Sequence, residues 1–182
     1  METKKALSRE KARLIAEVIR MSTNIQGLHF DVGRFLENIC DKFHELDFEI
    51  VEDNELEKAT FAKFIPNYEN QTGKILIKNS VYESACGTGK ASGRDRFTIV
   101  HEIAHFFLIM IFGYKPIEVY NSQSAKLPFD PEWQANALAG EILMPFKETM
   151  DFTDPQELAK ACGVSVDAAN YRVTRYKKDG MK

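Results

Sequence analysis

Residues 101–105 read His-Glu-Ile-Ala-His, an H-E-x-x-H pattern inside an apolar run, with Phe97, Ile99 and Val100 before it and Phe106 to Phe112 after it. Two imidazoles and a carboxylate in such a segment lie largely out of water, and a buried carboxylate is costly without a compensating partner. A metal cation is the simplest compensation. At 3.6 residues per turn, His101 and His105 fall about 40° apart on one helix face, one turn apart along the axis. Glu102 points off the flank of that face, where it reaches water beside a metal more readily than the metal itself. Neutral imidazoles as ligands, with a carboxylate as general base toward metal-acidified water, are the chemistry of zinc hydrolases.

The flanking residues supply a helix to carry these groups. Asp95 can act as N-cap for a helix over residues 96–112, Gly113 suits the position just past its end, and Pro116 blocks continuation. A membrane span does not fit, because the run is about 15 residues long and starts with three polar groups.

A third ligand is available downstream. Asp130-Pro131-Glu132 combines an N-cap, a proline at the first helical position and a first-turn acid. The helix should end at Leu143 or Met144, because Pro145 restricts the residue before it. Glu132, Ala135, Asn136 and Ala139 share one face. The two alanines allow close approach to the histidine helix, and Asn136 is placed to hydrogen-bond the outer nitrogen of a ligand histidine. By spacing alone, Glu132 reads equally well as a metal ligand or as an acid complementing the helix dipole.

The stretch from Arg94 to His105 (RDRFTIVHEIAH) and that from Glu132 to Pro145 (EWQANALAGEILMP) together resemble the ImmA/IrrE family of metallopeptidases. That family shows R-x-R-F-T-x-x-H-E-x-x-H followed by E-x-x-A-N-x-x-A-x-x-L-L-M-P, and the second block is the more diagnostic. The resemblance covers roughly residues 30 to 178. It implies a zincin-like α+β fold, mostly helical, with a small three-stranded antiparallel or mixed sheet and a C-terminal helix-turn-helix-like pair. It implies His101, His105 and Glu132 as ligands of Zn2+ (Mn2+ or another divalent ion suits the same donors) and Glu102 as catalytic base. Gly140 and Ile142 depart mildly from the pattern and touch none of these roles. The activity implied is endopeptidase cleavage of a helix-turn-helix repressor, as in antirepressors of mobile elements and stress regulators. The alternative is a regulatory protein, non-catalytic or weakly catalytic, that binds a repressor or DNA around a metal site. A purely structural site would be expected to have four protein ligands and no use for Glu102; only three ligands are evident.

Length and composition agree with one globular unit. The chain has 182 residues, 44% hydrophobic and 28% charged, with a net charge of −3 that gives no global attraction to nucleic acid. Cys40, Cys86 and Cys162 form no C-x-x-C pair and read as reduced thiols. With no apolar leader after Met1, this predicts a cytoplasmic protein. The organisation expected is a metallopeptidase unit with N-terminal helices over residues 1–150, and a small helical segment over 151–182 packed on it.

In the N-terminal half, Ser8 caps a helix to about Ser22 with Leu14, Ile15, Val18 and Ile19 as its apolar stripe. Asp31 caps a second, with Val32, Phe35, Leu36, Ile39 and Phe43 on one face. Strands are expected at Leu46–Val51, 59–65 and 74–79, the last two pairing across a turn at 70–73. Either could offer an edge to an extended peptide. The glycine-rich stretch 84–93 lacks phosphate-loop spacing and reads as a flexible loop. His29 and His44 sit in no cluster. Tyr114 and Tyr120, between the metal helices, are the weak candidates for an oxyanion donor.

After a helix start at residues 153–157, residues 158–173 resemble a helix-turn-helix, with Gly163 in the turn and Ser165 capping the second helix. Arg172, Arg175, Lys177 and Lys178 are basic, but the second helix opens with Val166-Asp167-Ala168-Ala169, which offers little to bases or phosphates. Direct DNA binding is therefore disfavoured.

Overall fold

A computed structural model describes residues 2–3, 5–86, 92–117 and 127–178. A two-residue strand, β1 (Glu2–Thr3), precedes α1 (Arg9–Ser22), where Ser8 Oγ accepts from Lys11 N at 3.1 Å. Asp31 caps α2 (Val32–Lys42), accepting from Arg34 N at 3.0 Å. Strands β2 (Leu46–Val51), β3 (Ala62–Asn67) and β4 (Thr72–Lys78) follow, then α3 (Asn79–Cys86) and the histidine helix α4 (Gly93–Phe106). Beyond α4 come a π-turn (Phe107–Ile111), β5 (Pro116–Ile117), a 3-10 turn (Leu127–Phe129) and α5 (Pro131–Leu143). The described chain closes with α6 (Phe146–Thr149), α7 (Pro155–Cys162) and α8 (Val166–Lys178).

The fold is α+β, and its three-stranded sheet is mixed, in the order β2-β4-β3. β2 runs parallel to β4, while β3 and β4 form the antiparallel hairpin that the pattern predicted, its turn at Tyr68–Gln71 with Gln71 at φ 55°. β3 is therefore an edge strand and β4 is not. The sheet lies on α4, with Phe64 of β3 meeting Phe106 edge-on at 6.1 Å. On its other side α4 packs against α5, and α5 against α1. Ala135 and Ala139, both fully buried, keep the α4–α5 seam narrow.

Several local expectations are corrected. The N-cap of α4 is Ser92, whose Oγ accepts from Asp95 N at 3.4 Å, so Asp95 is a first-turn acid. The α-helix stops at Phe106 and widens into the π-turn, with Phe112 N donating to Phe107 O at 2.9 Å before Gly113 reverses the chain at φ 69°. The wider turn buries Phe107, Leu108 and Ile109 in succession, a run that a straight amphipathic helix would bring partly to solvent. On α1 the buried stripe is Ala12, Ile15, Ala16 and Ile19; Leu14 and Val18 are each 58% exposed. Full burial of a Leu or Val is worth roughly 1.5–3 kcal/mol, so these two contribute only part of that.

The glycine-rich stretch ends in a glycine with a packing role. A Cβ on Gly93 would lie 2.3 Å from the Val164 carbonyl carbon and 2.4 Å from Ser165 N, both backbone atoms of the turn between α7 and α8. That turn is also held by Arg96, whose Nε donates to Gly163 O at 2.9 Å while its guanidinium lies over Phe30. Gly93→Ala should therefore lower stability by about 1–3 kcal/mol. Gly140→Ala, in the interior of α5 with nothing within 4 Å of the added methyl, should raise it by up to about 1 kcal/mol. Urea unfolding of the two variants checks the opposite signs.

Candidate metal centre

The site arises where α4 and α5 present one turn each to a common groove. Asp130 caps α5 by accepting from Glu132 N at 2.9 Å, and Pro131 occupies the first helical position, so Glu132 stands in a preorganised first turn. On α4, His101 and His105 stand one turn apart with their rings edge-on, centroids 4.7 Å from each other. His101 Nε2 lies 3.2 Å from Glu132 Oε2, His105 Nε2 lies 3.3 Å from Glu132 Oε1, and the two Nε2 atoms are 3.1 Å apart. This is the one group of three potential ligand residues among the described residues.

The donor set fits a metal. Two nitrogens bound to one tetrahedral ion at 2.0–2.1 Å stand about 3.3 Å apart, and all three edges of this triangle are close to that length. The His101 and His105 side chains are only 14% and 12% exposed, whereas Glu132 is 69% exposed and opens the triangle to solvent. His101 Nδ1 is buried without a hydrogen-bond partner. Asn136, also lining the groove, is near enough to favour the charged form of His101. The side chain predicted to support a ligand histidine thus lies beside His101.

Glu102 stands beside the triangle and is held differently. Its Oε2 accepts from the backbone N–H of Phe64 at 2.7 Å. Phe61 O accepts from Lys78 N in the ladder, so alternate residues turn inward to β4 and the backbone groups of Ala62 and Phe64 face the free edge. Glu102 is thereby fixed against the exposed edge of β3. Burial pushes its carboxyl above the usual range, against the pull of His101, His105 and the Phe64 N–H. Glu132 moves the other way: hydrogen bonds from His101 and His105 hold it far below that range. Burial opposes charge on His101, but the Glu132 hydrogen bond and the carboxylates of Glu102 and Glu132 outweigh it and raise its pKa. The environments separate one carboxylate suited to carry protons from one that stays anionic.

The groove around these groups has a volume of about 1310 Å³ and runs past Phe61, Phe64, Phe97 and Tyr68. Residues 87–174 match the model of the IrrE N-terminal-like domain, Peptidase_M78. Over these residues the chain carries a domain of the ImmA/IrrE metallopeptidase type. No curated protein matches the sequence. Both sequence blocks that pointed to the ImmA/IrrE family lie within the matched residues.

The other candidates among the described residues fall outside the site. Tyr114 does not line the groove; it is 2% exposed, with the Lys5 and Lys11 ammonium groups each 5.6 Å from its ring, so it is a poor oxyanion donor. Tyr120 lies outside the described residues. Tyr68, in the β3–β4 turn and 44% exposed, is a groove tyrosine that sequence spacing did not bring forward, because only the hairpin carries it there. Phe64 N was also missed, since no side-chain pattern reveals a backbone donor. His29 is exposed and packs against Gly163, and His44 is exposed. Burial raises the thiols of Cys40, Cys86 and Cys162 to about 11, which makes them inert. Among the described residues no helix is long and apolar enough to cross a membrane.

Proposed function

We propose that this protein is a metal-dependent endopeptidase of the ImmA/IrrE type whose substrate is a helix-turn-helix transcriptional repressor in the cytoplasm. The observation that carries the hydrolytic reading is the placement of Glu102 between an open three-donor site and the free edge of a β-strand. His101, His105 and Glu132 would hold the ion, with zinc the first choice for two imidazoles and a carboxylate and manganese an acceptable second. When bound, such a cation polarises a peptide carbonyl and brings water's ionisation toward neutral pH.

The chain's own groups do the rest. The outward backbone of β3 offers main-chain hydrogen bonds that keep a peptide extended across the groove. Glu102, raised in basicity by burial, takes the proton of the attacking water and delivers it to the leaving amine. Glu132 stays anionic throughout. The substrate class rests on the family resemblance.

Incubation of the chain with a neighbouring repressor, with zinc or manganese added or chelated, tests the proposal. Cleavage should need metal and should vanish in His101→Ala and Glu132→Ala, which should also lose metal in a direct titration. A repressor left intact under every condition, with metal bound, would overturn the endopeptidase reading in favour of a regulatory binding protein.

A further inference from the structure

Residues 2–3 and 5–7 form a strap across both feet of the segment that joins α4 and α5. At the first foot, Glu2 and Thr3 pair antiparallel with Ile117 and Pro116, and Lys5 Nζ donates to Phe112 O at 3.0 Å. At the second, Leu7 N donates to Pro128 O at 2.8 Å and Thr3 Oγ1 reaches Phe129 O at 3.3 Å. Residues 128 and 129 lead directly into Asp130, the cap that sets the first turn of α5.

Gln134 fastens this strap to α5. It is 1% exposed and directs its side-chain nitrogen at three acceptors: Thr3 Oγ1 at 2.8 Å, Lys5 O at 2.9 Å and Pro128 O at 2.7 Å. Ala135, Leu138 and Ala139 of the same helix are fully buried and apolar, and an amide buried beside such positions is costly unless it is hydrogen-bonded, as this one is. The amide therefore has a specific task. It gathers the strap, the 3-10 turn and the first turn of α5 into one unit, two residues from Glu132. The exposed Glu132 side chain is bonded to His101 and His105, so where it stands depends on the backbone that carries it.

We infer that Gln134, acting with Thr3 and the strap, is a positioning residue for Glu132: it fixes the first turn of α5 at the separation from α4 at which the carboxylate meets both imidazoles. This rests on the metal-binding reading above.

The test is zinc affinity, measured on the full chain by competition with a chromophoric chelator, alongside thermal unfolding of the metal-free protein. Gln134→Leu should weaken zinc binding about 10- to 100-fold, the range seen when groups that orient a metal ligand are removed. Thr3→Val removes one acceptor and should produce a smaller loss in the same direction, which serves if the first variant does not fold. The double variant should lose less than the sum, because both act through one network. Thr149→Val breaks a buried hydrogen bond to Tyr176 away from the strap, and should lower the unfolding temperature while leaving zinc affinity unchanged. Wild-type affinity in both Gln134→Leu and Thr3→Val, or an equal loss in Thr149→Val, would overturn the inference. A wild-type chain that binds no zinc would overturn the metal-binding reading itself, and this inference with it.

Discussion

Glu102→Gln is expected to keep metal affinity within a few-fold of wild type and to lose hydrolysis by about 10²–10⁴-fold, the usual contribution of a positioned proton-transfer group. The two effects separate because Glu102 is not one of the three donors in the triangle. A glutamine oxygen can still accept from Phe64 N at 2.7 Å, so the side chain should remain against the strand edge. What disappears is the basic oxygen. Glu102→Asp makes the complementary change, keeping the base but shortening the reach, and should lose the Phe64 bond along with most activity. Metal content by direct titration, paired with cleavage rates at fixed substrate, reads both quantities. Cleavage by Glu102→Gln within tenfold of wild type would remove Glu102 from the mechanism; loss of metal would make it a ligand.

The metal helices were legible before the structure because their signals are local. Asp130-Pro131 states where α5 begins, Pro145 states where it ends, and H-E-x-x-H fixes two side chains on one face whatever surrounds them. Pairing of the two helices needed only the small residues at 135 and 139. The less legible features depend on contacts distant in sequence. Leu14 and Val18 follow helical periodicity as well as Ile15 and Ile19 do, and only the position of α5 decides which flank is covered. β1 and β5 are two residues each, too short for any periodic pattern. The role of Gly93 is defined by a turn some seventy positions away in sequence, and in a glycine-rich context its own neighbours suggest only flexibility. The N–H that holds Glu102 belongs to the backbone of Phe64, which any residue but proline would supply.

Arg172→Met should cost about 3–5 kcal/mol, a loss expected when one partner of a buried ion pair is removed and the other is left behind. Both terminal nitrogens of Arg172 bond the Glu141 carboxylate, Nη1 to Oε1 at 2.7 Å and Nη2 to Oε2, and Nη2 also donates to Met144 O at 2.5 Å. The side chains are 7% and 3% exposed, so solvent cannot take over either role. Arg13 Nε lies 3.5 Å from Glu141 and would offset only part of the stranded charge. For a chain of this size the loss corresponds to a fall in melting temperature of roughly 10 °C. Arg172→Met combined with Glu141→Leu should recover most of it, because the uncompensated carboxylate, not the missing bond, dominates the cost. A single variant as stable as wild type would mean that the pair contributes nothing to holding α8 on α5. The same geometry bears on the helix-turn-helix likeness of α7 and α8. Gly163 is left-handed at φ 65° and Ser165 Oγ accepts from Ala168 N at 3.2 Å, so the local turn matches the pattern. Yet Arg172, one of the four basic residues of that segment, is buried against α5, while Asp167, Asn170, Tyr171 and Thr174 of α8 are exposed. Freeing Arg172 for DNA would strand Glu141, at the same several kcal/mol that the Arg172→Met variant measures.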